Sequence, residues 1–374
     1  MRVLITNHAL ALIGGAQAYT YDLAAWLLAH GHSPIVFGPD HGAAAEQIAG
    51  LGIPVIDDLE AISAAPDVIH GNSPVETMAA LLRFPGTPAV FVCHGVNGLP
   101  GMPPRFPRIR RYVAVDDACA DRLSSEGIAA ENVSVLLNAV DLKRFHQRAP
   151  LPVRPRRAVV FSNTASEATH VPAIREACRR AGVECDVVGA IAGNARSDPE
   201  SILGQYDVAF AKARAALEAM ASGLAVIVCD KDGVAGMVRN ADVPRLRRLN
   251  FGIRSFQKPV TPEVIAGELA AYDPADARRV SDLIRQTASA DALHEALFAL
   301  YQDVITQDGA GRAEWPEESR AAAAFIVRIL EESRRDQSKL ALMLQAMDRL
   351  LRLPLVGGAA TRVARWVVGK GRRR

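Results

Sequence analysis

Apolar positions along the chain follow two rhythms that alternate. Short unbroken apolar runs read as buried strands: Val3-Leu4-Ile5, Ile35-Val36-Phe37, Val55-Ile56, Val68-Ile69, Ala89 to Cys93, and Tyr112 to Val115. Between them lie stretches of helical composition and spacing. Gln17 to His30 is the clearest, with Leu23, Trp26 and Leu27 apolar and Gly31 as a stop. Gln47 to Leu51, Val75 to Arg83 and Ala118 to Glu126 complete this set.

The alternation restarts after Ala149 to Arg157, APLPVRPRR, whose three prolines and three arginines mark a linker. Ala158 to Phe161, Cys185 to Val188, Asp207 to Phe210 and Leu224 to Val228 read as strands. Asp198-Pro199-Glu200 leads into a short helix, and Lys231 to Met237 reads as a glycine-containing turn. Pro262 to Tyr272, Ala275 to Thr287 and Ala290 to Thr306 read as three helices. The expected fold class is therefore α/β: Rossmann-like domains over residues 1–150 and 151–310, then a helical extension over 311–374. In that extension Glu317 to Arg352 favours helix, with Leu340, Leu344, Met347 and Leu351 as a short a/d stripe. Pro354 and Gly357-Gly358 break it, and Ala359 to Val368 can form a last small helix.

Composition changes this picture little. Hydrophobic content of 49% and charged content of 22% are those of an ordinary globular protein, and a net charge of +2 gives no global nucleic-acid signal. The distribution matters more. Arg349 to Arg374 holds eight Arg/Lys and no acid, so the rest of the chain carries −6 against a total of +2. Five scattered cysteines with no C-x-x-C pair read as reduced core thiols. With no signal peptide and no apolar run of 18 residues, the expected location is cytoplasmic.

Candidate chemistry gathers in Gln205 to Asp230, a strand–turn–helix–strand unit. Ligands of such units collect at strand carboxyl ends, where a helix N-terminus offers unpaired N–H groups to an anion. Lys212, Arg214 and Glu218 sit there, and Glu218, one turn after Arg214, can face the same crevice. An exposed i,i+4 ion pair is the bland alternative. Gly14-Gly15 is either a tight strand-to-helix turn or a place where backbone N–H groups approach a phosphate or sugar. It is not G-x-G-x-x-G, so a dinucleotide is not indicated. His70 and His94 each close an apolar run; a lone histidine there is usually structural, but two in one crevice suggest function. Gly98 to Pro107, with Leu99, Met102 and Phe106 followed by several arginines, is either a solvated loop or an acceptor or membrane-edge contact. No D-x-D or His/Cys/carboxylate cluster suggests a metal.

Several of these segments resemble family 4 retaining glycosyltransferases. LEAMASGLAVIV, from Leu217 to Val228, is similar to that family's E-x7-E-A-M-A-x-G-x-P-V-I segment. The resemblance makes Glu218 the acceptor of the donor's ribose hydroxyls, and puts Phe210 where a sugar-contacting glutamate is usual. Gly14-Gly15-Ala16-Gln17 resembles the family's opening loop, and Asn138 to Phe145 its N-G-V-D-x-x-x-F turn. Val90 to Gly95 resembles the strand that ends in a histidine near the reacting sugar, which selects His94. The arginine and lysine usual after the second domain's first strand are absent from Ser162 to Ser166, so Lys212 and Arg214 are expected to hold the diphosphate.

The resemblance implies the GT-B arrangement, two Rossmann-like domains facing each other across a cleft. It implies transfer of a sugar from a nucleotide-sugar donor, with retention, to a glycan or lipid-linked acceptor in cell-surface synthesis. No cofactor is expected beyond the donor as co-substrate. The catalytic candidates are His94, Lys212 and Arg214; Gly14, Gly15, Lys212, Arg214 and Glu218 are the donor-binding candidates. A non-catalytic sugar-nucleotide binder and a GT-B epimerase are the alternatives. The basic tail, with Trp366 and several leucines, is expected to meet an anionic membrane surface on the inner face rather than nucleic acid.

Overall fold

The computed structural model of the chain describes residues 1–11, 14–98, 101–308 and 315–351, without the side chains of 307–308 and 336–351. It divides into two compact units at Trp315.

The first unit contains two sheets. The N-terminal one is built from β1 (Arg2–Thr6), α1 (Gly15–Ala29), β2 (Ser33–Phe37), α2 (Ala43–Ala49), β3 (Val55–Ile56) and β4 (Val68–Gly71). It continues through α3 (Pro74–Arg83), β5 (Ala89–Cys93), β6 (Ile109–Ala114), α4 (Asp117–Ser125) and β7 (Val133–Val135). Its seven strands run parallel in the order β3-β2-β1-β4-β5-β6-β7. All residues of β5 are buried, as expected of a parallel strand covered on both faces.

The second sheet follows β8 (Arg157–Phe161), α5 (Val171–Ala181), β9 (Glu184–Val188), α6 (Glu200–Leu203), β10 (Val208–Ala211), α7 (Ala213–Ala221), β11 (Ala225–Asp230) and β12 (Gly233–Met237). Its order is β12-β11-β10-β8-β9, parallel except for β12. Gly233 to Met237 is thus an antiparallel edge strand, not the turn its glycines suggest. Sequence shows the glycines' freedom but not the open edge of β11 beside them. α8 (Val243–Arg248), α9 (Pro262–Ala270) and α10 (Pro274–Thr287) complete this domain.

The next helix, α11 (Ala290–Asp308), departs from expectation. Chain order and the family resemblance place it at the end of the second domain, but it packs on α1, β5 and β6 of the first. Leu297, Tyr301 and Val304 are fully buried, and Arg111 on β6 pairs with Asp303 at 3.2 Å. Spacing reveals that a helix has an apolar face, not which sheet the face covers. The chain therefore crosses between the domains twice. The crossings are joined where Val140 N–H donates to Ala288 O (2.9 Å) and Ala290 N–H to Val140 O (3.0 Å).

The loop before β6 is part of the core. Met102 and Phe106 are buried, and buried Arg108 donates to the carbonyls of Leu81, Phe84 and Thr87, around the end of α3. The acceptor or membrane-edge reading of those two side chains is overturned, because nothing outside the domain reaches them; Leu99 lies outside the described residues. All five cysteines are free thiols, four of them buried.

The second unit is α12 (Trp315–Leu351), which exposes Trp315, Ile326, Val327 and Leu330. The side chains of the leucine stripe and all of 352–374, including the small helix expected from Ala359 to Val368, lie outside the described residues. Among the described residues no helix is long and apolar enough to cross a membrane.

Candidate active site

The turn between β10 and α7 is a single residue, Lys212, which caps the helix. Such tightness forces Ala213 to a φ of +50°, a region that non-glycine residues rarely adopt and that clusters at functional sites. Its N–H donates to Phe251 O at 3.1 Å. The same turn explains Phe210, which lies inside β10 with 1% of its surface exposed, in the core between sheet and helices. The usual glutamate position is therefore mid-strand here, and Phe210 cannot touch a sugar.

Arg214 occupies the first turn of α7. Its Nε donates to Glu218 Oε1 at 2.8 Å, and its Nη2 pairs with Asp22 on α1 of the other domain. Arg144, just after the first crossing, binds Glu200 in bidentate fashion (3.2 and 2.9 Å) and lies 3.5 Å from Asp22 Oδ1. Two arginines thus straddle one buried aspartate across the interdomain cleft. Burial opposes the Arg214 charge, yet Asp22 and Glu218 outweigh it and hold its pKa above the ordinary value. Burial raises the pKa of Glu218, and Arg214 offsets only part of that rise. Charges this deep persist because each is paired.

Arg144, Arg214 and Glu218 form one wall of a pocket between the domains. Gly14 and Gly15 at the start of α1 line the first domain's side, and a Cβ at Gly15 would meet nothing within 4 Å. Gly14 caps α1 without a side-chain hydrogen bond, so the helix's first N–H groups stay available to a ligand. Ser162 and Asn163 after β8, and Gly189 after β9, line the second domain's side. A Cβ at Gly189 would sit 1.9 Å from Ser162 O, so only glycine lets these strand ends meet. Arg144, Arg196 and Arg214 are the pocket's cations, and Glu218 Oε2 takes no hydrogen bond from the described residues.

The structure thus brings together four of the residues singled out from sequence: Gly14, Gly15, Arg214 and Glu218. Lys212 lies outside the pocket lining and is paired with buried Asp230, which also accepts from Thr164 Oγ1 at 3.0 Å. His94 lies in a polar cluster within the first domain. His94 Nε2 donates to Asn72 Oδ1 (2.8 Å), as does His70 Nε2 (3.1 Å), while Tyr301 OH donates to His70 Nδ1 (2.6 Å). Tyr19 packs on both imidazoles. Burial holds the pKa of His94 down to about 4 and that of His70 down to about 3, so both are neutral at pH 7. The two histidines share a buried hydrogen-bond cluster through Asn72, and neither lines the donor-side pocket.

Sequence reasoning missed Asp22, Arg144 and Arg196. Arg144 was visible inside the Asn138–Phe145 segment, where only the turn was read; Asp141 Oδ1 does make it, accepting from Lys143 N–H at 2.8 Å. Asp22 falls seven residues after Gly15, on the same helix face, but its partners come from the other domain. Among the described residues no group of three His, Cys, Asp or Glu side chains could hold a metal.

Two α/β sheets with a pocket between them define the GT-B class of glycosyltransferase folds, and solved structures agree. Anabaena HepE, in complex with UDP and glucose, superposes with a TM-score of 0.61 at 14% identity, covering 81% of this chain and 100% of that one. A Rickettsia africae glycosyltransferase gives 0.59 at 14%, covering 81% and 98%. Thermosynechococcus elongatus sucrose-phosphate synthase gives 0.57 at 12%, covering 82% and 99%. Residues 13–144 match the family model for Glycosyltransferase Family 4. No curated protein sequence matches the chain.

Proposed function

We propose that this chain transfers a sugar, with retention, from a nucleotide-sugar donor to a glycan or lipid-linked acceptor in cell-surface synthesis. The observation that carries the reading is Glu218, a buried carboxylate in the pocket with one oxygen held by Arg214 and the other without a protein donor. That free oxygen is the acceptor for the donor's ribose hydroxyls. Arg214 and Arg144 neutralise the diphosphate, assisted by the N-terminus of α1, and their effect grows as negative charge develops on the leaving group. Lys212, held by Asp230, sets the turn that aims Arg214. His94, neutral and fixed by Asn72, faces the sugar and acceptor side. UDP is the favoured nucleotide, since HepE is seen with UDP and glucose. The protein acts in the cytoplasm, and its basic tail attaches it reversibly to the inner membrane face.

A thermal-shift screen across UDP, GDP and ADP sugars tests the donor. A ligand at about 100 times its Kd stabilises the fold by about 2.7 kcal/mol. Donor consumption is then followed with and without acceptor glycans. Consumption that requires acceptor supports transfer; turnover of the donor alone marks an epimerase, and binding without turnover marks a non-catalytic binder.

A further inference from the structure

The pocket's arginines are claimed before any ligand arrives. Arg214 spends Nε on Glu218 and Nη2 on Asp22; Arg144 spends two nitrogens on Glu200 and sets the third against Asp22. Arg196, the pocket's other cation among the described residues, is held by both oxygens of Asp198 at 3.0 Å. Three guanidinium groups thus face four carboxylates, an excess of negative charge that opposes the two phosphates of a donor.

One carboxylate must therefore release its arginine, and position singles out Asp22. Glu218 holds the ribose, Glu200 grips Arg144 in bidentate fashion, and the Arg196–Asp198 pair is half-exposed. Asp22 reaches across the cleft from α1 with its side chain buried, and it pairs only with Arg214 and Arg144, both beyond the first crossing. Burial opposes the charge of Arg214, and Asp22 is the largest influence that sustains it. A buried guanidinium stripped of its partner is costly, so Arg214 leaves Asp22 only for another anion, and its planar fork fits phosphate as well as carboxylate. We propose that Asp22 is an internal stand-in for the donor's phosphates: it holds Arg214 and Arg144 in the free protein and yields them to the diphosphate on binding. The inference rests on the donor reading of the pocket, and makes Asp22 a determinant of affinity for phosphate rather than for the nucleoside.

Calorimetric titration of uridine, UDP and pyrophosphate into the full-length wild-type chain and Asp22→Asn tests it. The substitution keeps an oxygen for Arg214 and removes the charge. UDP and pyrophosphate should each bind the variant about 10-fold more tightly, as expected where the free arginines are about nine-tenths latched, and uridine should bind both proteins equally. In an Arg214→Gln background the shared partner is gone, and the same change at Asp22 should bring less than about a 3-fold gain. A pyrophosphate gain with no UDP binding to either protein removes the donor reading and leaves the Asp22 exchange standing. Unchanged or weaker pyrophosphate affinity overturns the exchange, as does an equal gain for uridine or an equal gain in both backgrounds. Asp22→Ser takes the place of Asp22→Asn if that variant does not fold; failure of both to fold makes the Asp22 pairs structural and overturns the proposal.

Discussion

At the scale of single residues, the pocket's buried charges are paired and the buried histidines are neutral. His70 is held down to about 3, and His94 and His294 to about 4, chiefly by burial, against 6.5 in the unfolded chain. The unfolded state therefore takes up protons first as pH falls. Stability should drop between pH 6.5 and 4, each histidine adding about 1.4 kcal/mol per pH unit to the slope. Denaturant melts at stepped pH would show this, and a flat profile from pH 7.5 to 5 would contradict it. Glu218 follows the opposite logic. Its raised pKa means that it loses charge above the ordinary carboxylate value of 4.5, so nucleotide affinity should fall on acidification before an exposed glutamate would titrate. The identities of Glu218 and Arg214 as site residues were legible from their spacing and context. Arg144 stood in a recognisable segment without a sign of its role, and Asp22 was not legible, because a partner brought from another domain leaves no trace in local sequence.

At the scale of elements, two glycines of one pocket make opposite demands. Gly15→Ala adds a methyl to open space at a helix N-terminus, where alanine also has the better helix propensity. It should fold with unchanged or slightly raised stability and yet bind nucleotide more weakly, since the methyl enters the ligand's approach. Gly189→Ala pushes a methyl into Ser162 O, and should cost about 1–3 kcal/mol or more as the ends of β8 and β9 separate. Paired melting and binding curves check both; equal behaviour of the two variants would contradict the assignment of Gly15 to the ligand side. Strands and helices were largely legible because parallel strands are apolar throughout and helices carry one apolar face. What failed was assembly: α11 covers the first sheet, β12 is a strand, and the β10–α7 turn is too short for the glutamate expected at Phe210.

At the scale of the whole molecule, the pocket exists only where the two domains meet, with Arg214 of one bonded to Asp22 of the other. The basic tail adds a second prediction at this scale. A chain ending at Arg349 should keep nucleotide binding but lose co-sedimentation with anionic vesicles at low salt, each removed cation contributing about 1 kcal/mol. If the full-length chain ignores such vesicles, the tail has no membrane role. The central claim is that Glu218 holds the donor's ribose, and calorimetric titration of UDP into wild-type protein and Glu218→Gln tests it most directly. The substitution keeps an oxygen for Arg214, and Asp22 still neutralises that arginine, so the fold should survive. We expect UDP affinity to fall by about 1.5–3 kcal/mol, the range for hydrogen bonds to a charged group, with the unfolding midpoint little changed. Equal UDP affinity in the two proteins would contradict the account.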